Sequence, residues 1–170
     1  MLLNKNQINL INQNKTCFVK DFVTLTNIYD FNFISDLLEE NELKVVSKTS
    51  IGYFKDVFQI HRVLNTKEEF AIFFDFLSKL FKYERDEKDG ADLFFSLVSQ
   101  TGNTHNDIED VFIIGLKGKT IYRIFDQSNQ DYLLEKGDMI FIPRGKKHKV
   151  LSLNSRIVLS IGFYGKRFKK

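Results

Sequence analysis

From Leu93 onward the chain is a succession of short apolar runs, each of strand length and each broken by glycine, aspartate, asparagine or proline. The runs lie near 93–99, 111–116, 120–125, 132–134, 139–142, 148–153 and 156–164. Their length and the turn signals that bound them predict strands. The breaks are Lys117-Gly118-Lys119, Asp126 to Asp131, Glu135-Lys136-Gly137-Asp138, Pro143-Arg144-Gly145 and Asn154-Ser155, each rich in residues that preset a turn or tolerate positive φ. So many short strands at this spacing fold into a sandwich or a barrel. No internal sequence repeat divides them.

The N-terminal part reads differently. In Asp30 to Glu40, Phe33, Ile34, Leu37 and Leu38 recur at helical spacing behind an Asp30 cap. In Thr66 to Tyr83, Thr66-x-x-Glu69 reads as a capping box, and Phe70, Phe73, Phe74, Leu77, Leu80 and Phe81 form one apolar stripe. Such a stripe is core, and the two helices are expected to buttress a sheet. At 170 residues there is room for one core. The expected organisation is therefore one domain, with supporting elements in 1–92, a β core in 93–164 and a basic tail in 165–170. Eighteen phenylalanines, no tryptophan and the lone Pro143 exclude a disordered or low-complexity chain.

The single Cys17 has no partner for an internal disulfide, which argues for a reducing compartment, and its plainest role is core. The opening Met1-Leu2-Leu3-Asn4-Lys5 leads into no apolar run long enough for a signal peptide or a membrane span. A cytoplasmic protein with no membrane partner is expected. The net charge of +3 is mild, and part of it sits in Lys166-Arg167-Phe168-Lys169-Lys170, expected to be a solvated end.

The chemistry is carried by histidines. His105-Asn106-Asp107 places an imidazole and a carboxylate two residues apart, which on an extended strand puts both on one face. His148 follows the turn beginning at Pro143 and opens another strand. An imidazole, a carboxylate and a second imidazole suit a divalent metal held on one face, with the other positions open. Glu109 and Asp110 are candidates to extend or orient that set, although charges beside a loop are commonly just solvated. His61 lies far from this region in sequence and nothing ties it to the metal.

The stretch Gly137-Asp138-Met139-Ile140-Phe141-Ile142-Pro143-Arg144-Gly145-Lys146-Lys147-His148 resembles the second motif of the cupin superfamily in its glycine, proline, glycine and histidine, with Ser152 where an asparagine is usual. The first motif is partial: counting back from Gly118, its glutamate ligand falls on Val111, and Asp107 stands where a second histidine would be. Ser96 to Tyr164 as a whole is similar to the jumonji-C (JmjC) branch, in particular to ribosomal oxygenases and asparaginyl hydroxylases. The residues that carry the likeness are Thr104 to Asp107, Asp110-Val111-Phe112-Ile113, Leu116 to Arg123 and the run ending at His148. The resemblance implies a mainly β fold with flanking helices, a double-stranded β-helix (cupin or jelly-roll barrel). It implies iron(II) on His105, Asp107 and His148, and 2-oxoglutarate as cosubstrate in a hydroxylation or demethylation.

In the resembling enzymes the far carboxylate of 2-oxoglutarate pairs with a lysine or arginine fifteen residues after the first ligand, and that position here is Thr120. The candidate replacements are Lys119, Arg123 and Arg156, the last with Ser160 on the same face four residues further on. Tyr122 and Tyr53 are candidate hydroxyl donors. Two alternatives stand beside the oxygenase. One is a metal-dependent cupin dioxygenase or isomerase that does without 2-oxoglutarate, and the other is a non-catalytic cupin binding module. The substrate is left open among protein, nucleic acid and small molecule, and the assembly between monomer and homodimer.

Overall fold

The apolar runs become strands, and those at the centre of the larger sheet are covered on both faces. The computed structural model describes residues 3–41, 45–47, 57–97 and 99–167. Its elements run α1 (Lys5–Asn12), β1 (Cys17–Val19), α2 (Phe31–Asn41), β2 (Val45–Ser47), β3 (Val57–Ile60), a 3-10 turn (Val63–Asn65), α3 (Glu68–Phe81) and β4 (Gly90–Ser96). There follow β5 (Gln100–Thr101), β6 (Asp110–Lys117), β7 (Thr120–Ile124), β8 (Gln130–Leu134), β9 (Met139–Ile142), β10 (His148–Ser152) and β11 (Arg156–Phe163). Among the described residues the strands form a seven-stranded sheet in the order β1-β9-β6-β11-β4-β3-β2 and a four-stranded sheet in the order β5-β10-β7-β8. From β6 to β11 the chain passes back and forth between the two sheets. This is the expected double-stranded β-helix.

Side chains of the larger sheet serve two cores. Phe112, Ile114 and Leu116 of β6, Met139 and Phe141 of β9, and Leu159, Ile161 and Phe163 of β11 pack outward on the helices. The residues between them, Val111, Ile113, Ile140, Ile142 and Val158, face inward and meet Tyr122, Ile124 and Leu134 of the smaller sheet. Burial of both faces explains why these segments read as unbroken apolar runs rather than as alternating ones. Helix α3 lays Phe74 on Phe163 with ring centroids 4.9 Å apart and Phe81 on Phe112 at 5.5 Å, so its aromatic stripe is core as expected.

The turn between β6 and β7 requires its glycine. Gly118 has φ of 78°, and a Cβ there would sit 2.1 Å from the Ser155 carbonyl oxygen. Its close approach nests this turn against the start of β11, where Arg156 begins the strand.

Two local expectations are corrected and one is borne out. Asp30 does cap α2, accepting the Phe33 N–H at 3.0 Å. The Thr66 and Glu69 capping box does not form, because both side chains are drawn elsewhere. Thr66 donates to the Val63 carbonyl at 2.7 Å and Glu69 accepts from Asn27 and Tyr29, so α3 starts at Glu68 with Lys67 as an N-cap that makes no side-chain bond. Unforeseen helix α1 carries a capping box of its own between Asn4 and Gln7. The basic tail is not simply solvated: the Arg167 guanidinium is buried between the rings of Tyr83 and Phe141, paired with Asp110 at 3.2 Å, and donates to the Ile11 carbonyl and the Asn14 side chain. Tyr53 lies outside the described residues.

Candidate metal centre

His148 opens β10 and points into the barrel, 2 % exposed. His105 is not in a strand, as its spacing to Asp107 had suggested. It forms an isolated antiparallel bridge with His148, the two backbones exchanging N–H donors at 2.9 and 2.8 Å. The bridge brings the two rings to 4.3 Å between centroids, tilted by 57° to each other. Asp107 lies in the loop that follows, held where its carbonyl accepts the Gly145 N–H at 2.7 Å. Long-range pairing, more than local extension, therefore assembles the trio.

The ring nitrogens are sorted by their partners. His105 Nδ1 lies 2.9 Å from the Asn103 carbonyl and His148 Nδ1 lies 3.0 Å from the Lys146 carbonyl. A carbonyl only accepts, so each Nδ1 carries the proton and each Nε2 presents a lone pair. Those two Nε2 atoms lie 3.7 and 3.6 Å from the Asp107 carboxylate oxygens. One ligand atom from each residue falls within 4.8 Å of the others. Donors about 2.0–2.2 Å from one ion, at 90–120° to one another, stand roughly 3–4 Å apart, so the trio fits a single divalent metal with little movement. Burial pushes the His148 imidazole below its ordinary pKa, and His105 adds to this; the Lys146 carbonyl and Asp107 work the other way. The result favours the neutral, metal-ready ring.

The trio opens on a cavity of about 1530 Å³ between the two sheets. This exceeds the usual 300–1,000 Å³ of a small-ligand site, leaving space for a cosubstrate and part of a substrate together. Tyr122, Arg156 and Ser160 line it, which brings three of the expected cosubstrate residues to the metal side of the barrel. Arg156 is buried, 6 % exposed, and its Nε and Nη1 have no hydrogen-bond partner among the described residues. Burial pushes the Tyr122 hydroxyl above its ordinary pKa, while the charge of the neighbouring Arg156 guanidinium pulls it back. Thr120 is buried on the same face of β7 as Tyr122, opposite Ser152. Ser96 donates to Ser152 at 3.4 Å, and Ser96 in turn faces Arg156 across β4 and β11. A row of small hydroxyl side chains thus runs from Thr120 to the level of Arg156.

The other two basic candidates face away. Lys119 is bound by Glu135 at 3.0 Å, and its N–H donates to Asn154 Oδ1. Arg123 makes a two-pronged pair with Asp131, both arms at 2.7 Å, on the outer face of the smaller sheet. Alternation along β7 decides this, since Arg123 is one residue from inward-facing Tyr122. Asp110 is neither a solvated loop charge nor a partner of His105; it is buried under Tyr83, Arg144 and Arg167. Glu109 does line the cavity, and burial followed by the nearby Asp107 charge raises its pKa.

One wall was missed in the sequence. Gln59 and His61 at β3 and Asp92 of β4 line the same cavity, with Gln59 donating to Asp92 at 2.5 Å and His61 Nδ1 3.1 Å from the same oxygen. The available signal was the polar alternation of Gln59 and His61 with Phe58 and Ile60.

Residues 123–170 match the JmjC domain family. No curated protein matches the chain. Among solved structures, YcfD, a ribosomal oxygenase from Escherichia coli, superposes with a TM-score of 0.71 at 20 % identity over 98 % of this chain and 52 % of its own. A second YcfD structure, in complex with cobalt and 2-oxoglutarate, gives 0.69 at 20 % identity over 97 % of this chain and 53 % of that one. SnoK, a non-haem α-ketoglutarate-dependent carbocyclase from nogalamycin biosynthesis, gives 0.67 at 9 % identity over 95 % and 83 %. The chain spans about half the length of the YcfD structures. These likenesses show the double-stranded β-helix fold.

Proposed function

We propose that this chain is an iron(II)- and 2-oxoglutarate-dependent oxygenase that hydroxylates or demethylates its substrate. The observation that carries the reading is the convergence of two Nε2 lone pairs and one carboxylate at the mouth of a cavity that also contains a buried, under-bonded arginine. Two imidazoles and one carboxylate are the ligand set of non-haem iron oxygenases, and they leave positions for cosubstrate and oxygen. When bound, iron and 2-oxoglutarate supply the oxidising power that cleaves a substrate C–H bond.

The chain's own residues supply position. The Asn103 and Lys146 carbonyls hold the two rings in the tautomer that ligates. Arg156 supplies N–H donors for the far carboxylate of 2-oxoglutarate, replacing the base that Thr120 lacks, and the short side chains of Thr120, Ser152 and Ser96 leave it room. Tyr122 braces the guanidinium, and Ser160, on the same face of β11, is a further hydroxyl for the cosubstrate. Likeness to a ribosomal oxygenase supports a macromolecular substrate. Among the described residues no helix is long and apolar enough to cross a membrane, and the single buried Cys17 suits a reducing compartment such as the cytoplasm.

Thr120 itself favours a second reading, in which substrate binds the metal directly and 2-oxoglutarate is not used. Anaerobic titration of the iron(II)-loaded chain with 2-oxoglutarate separates the two. A saturable visible charge-transfer band, absent in His148→Ala, is expected. Bound iron without such a band would transfer the assignment to the second reading.

A further inference from the structure

We propose that Asp110 is a positioning residue for the metal ligands Asp107 and His148, acting through the turn that begins at Pro143. The inference rests on the reading of the triad as a metal site. Asp110 begins β6, three residues after Asp107, and is buried. One carboxylate oxygen accepts the Arg144 backbone N–H at 2.9 Å and lies 3.5 Å from its Nε. The other accepts from the Tyr83 hydroxyl at 2.9 Å and lies 3.2 Å from Arg167 Nε.

The gripped turn is the one that sets His148. Lys146 donates its N–H to the Pro143 carbonyl at 3.1 Å, and the Lys146 carbonyl fixes the His148 tautomer. The next residue after Arg144, Gly145, donates to the Asp107 carbonyl. Arg144 reaches on to the Phe163, Tyr164 and Gly165 carbonyls, pinning the turn to the end of β11. One carboxylate therefore joins the loop that carries Asp107, the turn that orients His148, and the strand end beside both. If Asp110 served only to anchor Arg167 and the chain ends, its loss would lower stability and leave the metal site unchanged.

Cobalt(II) titration of the full chain, read by the visible d–d bands, separates these roles. An amide in Asp110→Asn turns a donor toward the donors of Tyr83, Arg144 or Arg167, so cobalt affinity is expected to fall about 10- to 100-fold with altered bands, as for other outer-shell partners of metal ligands. Asp138→Asn is the control: that carboxylate is as deeply buried, accepting the Asp21 and Glu135 N–H groups, but touches neither ligand loop. It should lower the melting temperature while keeping wild-type cobalt affinity and bands. Wild-type affinity and bands in folded Asp110→Asn would overturn the proposal. Should that variant not fold, Arg144→Met removes the half-exposed guanidinium that ties the turn to β11; weakened cobalt binding with altered bands supports the clamp, and wild-type binding overturns it. A wild-type chain that takes up no cobalt would overturn the metal reading, and the clamp with it.

Discussion

Replacing Arg156 by methionine is expected to move stability and cosubstrate affinity in opposite directions. The guanidinium is buried with Nε and Nη1 unpartnered among the described residues. Each such group costs the folded chain about 1–3 kcal/mol, whereas the polar contact with Tyr122 returns at most about 1 kcal/mol. Methionine fills similar volume without an N–H group, so with two such groups removed and about 1 kcal/mol lost the chain without cosubstrate should gain about 1–5 kcal/mol, a rise of roughly 3–14 °C in melting temperature for this size. With 2-oxoglutarate the sign reverses. Loss of a buried charged partner costs about 2–5 kcal/mol, which weakens binding roughly 30-fold to a few thousandfold. Thermal unfolding followed by circular dichroism, with and without iron(II) and 2-oxoglutarate, reads both effects in one experiment. A folded Arg156→Met chain that binds 2-oxoglutarate as tightly as wild type would refute the assignment of Arg156 as its anchor. A lower melting temperature without cosubstrate would refute the claim that its N–H groups are unsatisfied.

Further outcomes are expected at Asp107 and at Cys17. Asp107→Ala should abolish iron(II) binding in equilibrium dialysis while changing stability by no more than about 0.5 kcal/mol, because a half-buried loop side chain outside both cores is removed; retained iron affinity would exclude the triad. Burial pushes the Cys17 thiol up from 9.0 to about 11, so it should resist thiol-reactive dyes at pH 8 until the chain is unfolded. Because its folded pKa is the higher one, the linked stability is fully present below pH 9.0 and is lost as pH rises toward 11, which denaturant titrations across that range would register.

What could be read along the chain were features with short-range causes. Seven apolar runs bounded by turn residues imply stacked strands, because such runs bury themselves only between two covering layers, as β6, β9 and β11 do. The helical stripe of α3 was equally legible, since Phe70, Phe73, Phe74, Leu77 and Phe81 share one side at the helical period. The three metal-ligand candidates were nominated by resemblance, because the glycine-to-histidine run is similar to the second cupin motif and His-x-Asp stands in a partial first one. Capping was less secure. Thr66 and Glu69 had the right spacing, but stronger partners from Val63, Asn27 and Tyr29 took their side chains.

The sequence by itself determined the strand-rich barrel and its buttressing helices, because hydrophobic periodicity and turn chemistry act over a few residues, and motif resemblance nominated the three candidate ligands. Only the tertiary structure decided which cation meets the cavity. Lys119, Arg123 and Arg156 are chemically similar candidates, and cross-strand register turns the first two outward and the third inward. The same holds for His61 and Asp92, which β3 and β4 bring to the cavity wall, and for Asp110 and Arg167, which meet across more than fifty residues of chain. Such contacts depend on how distant strands pair, and pairing is settled by burial of the whole barrel.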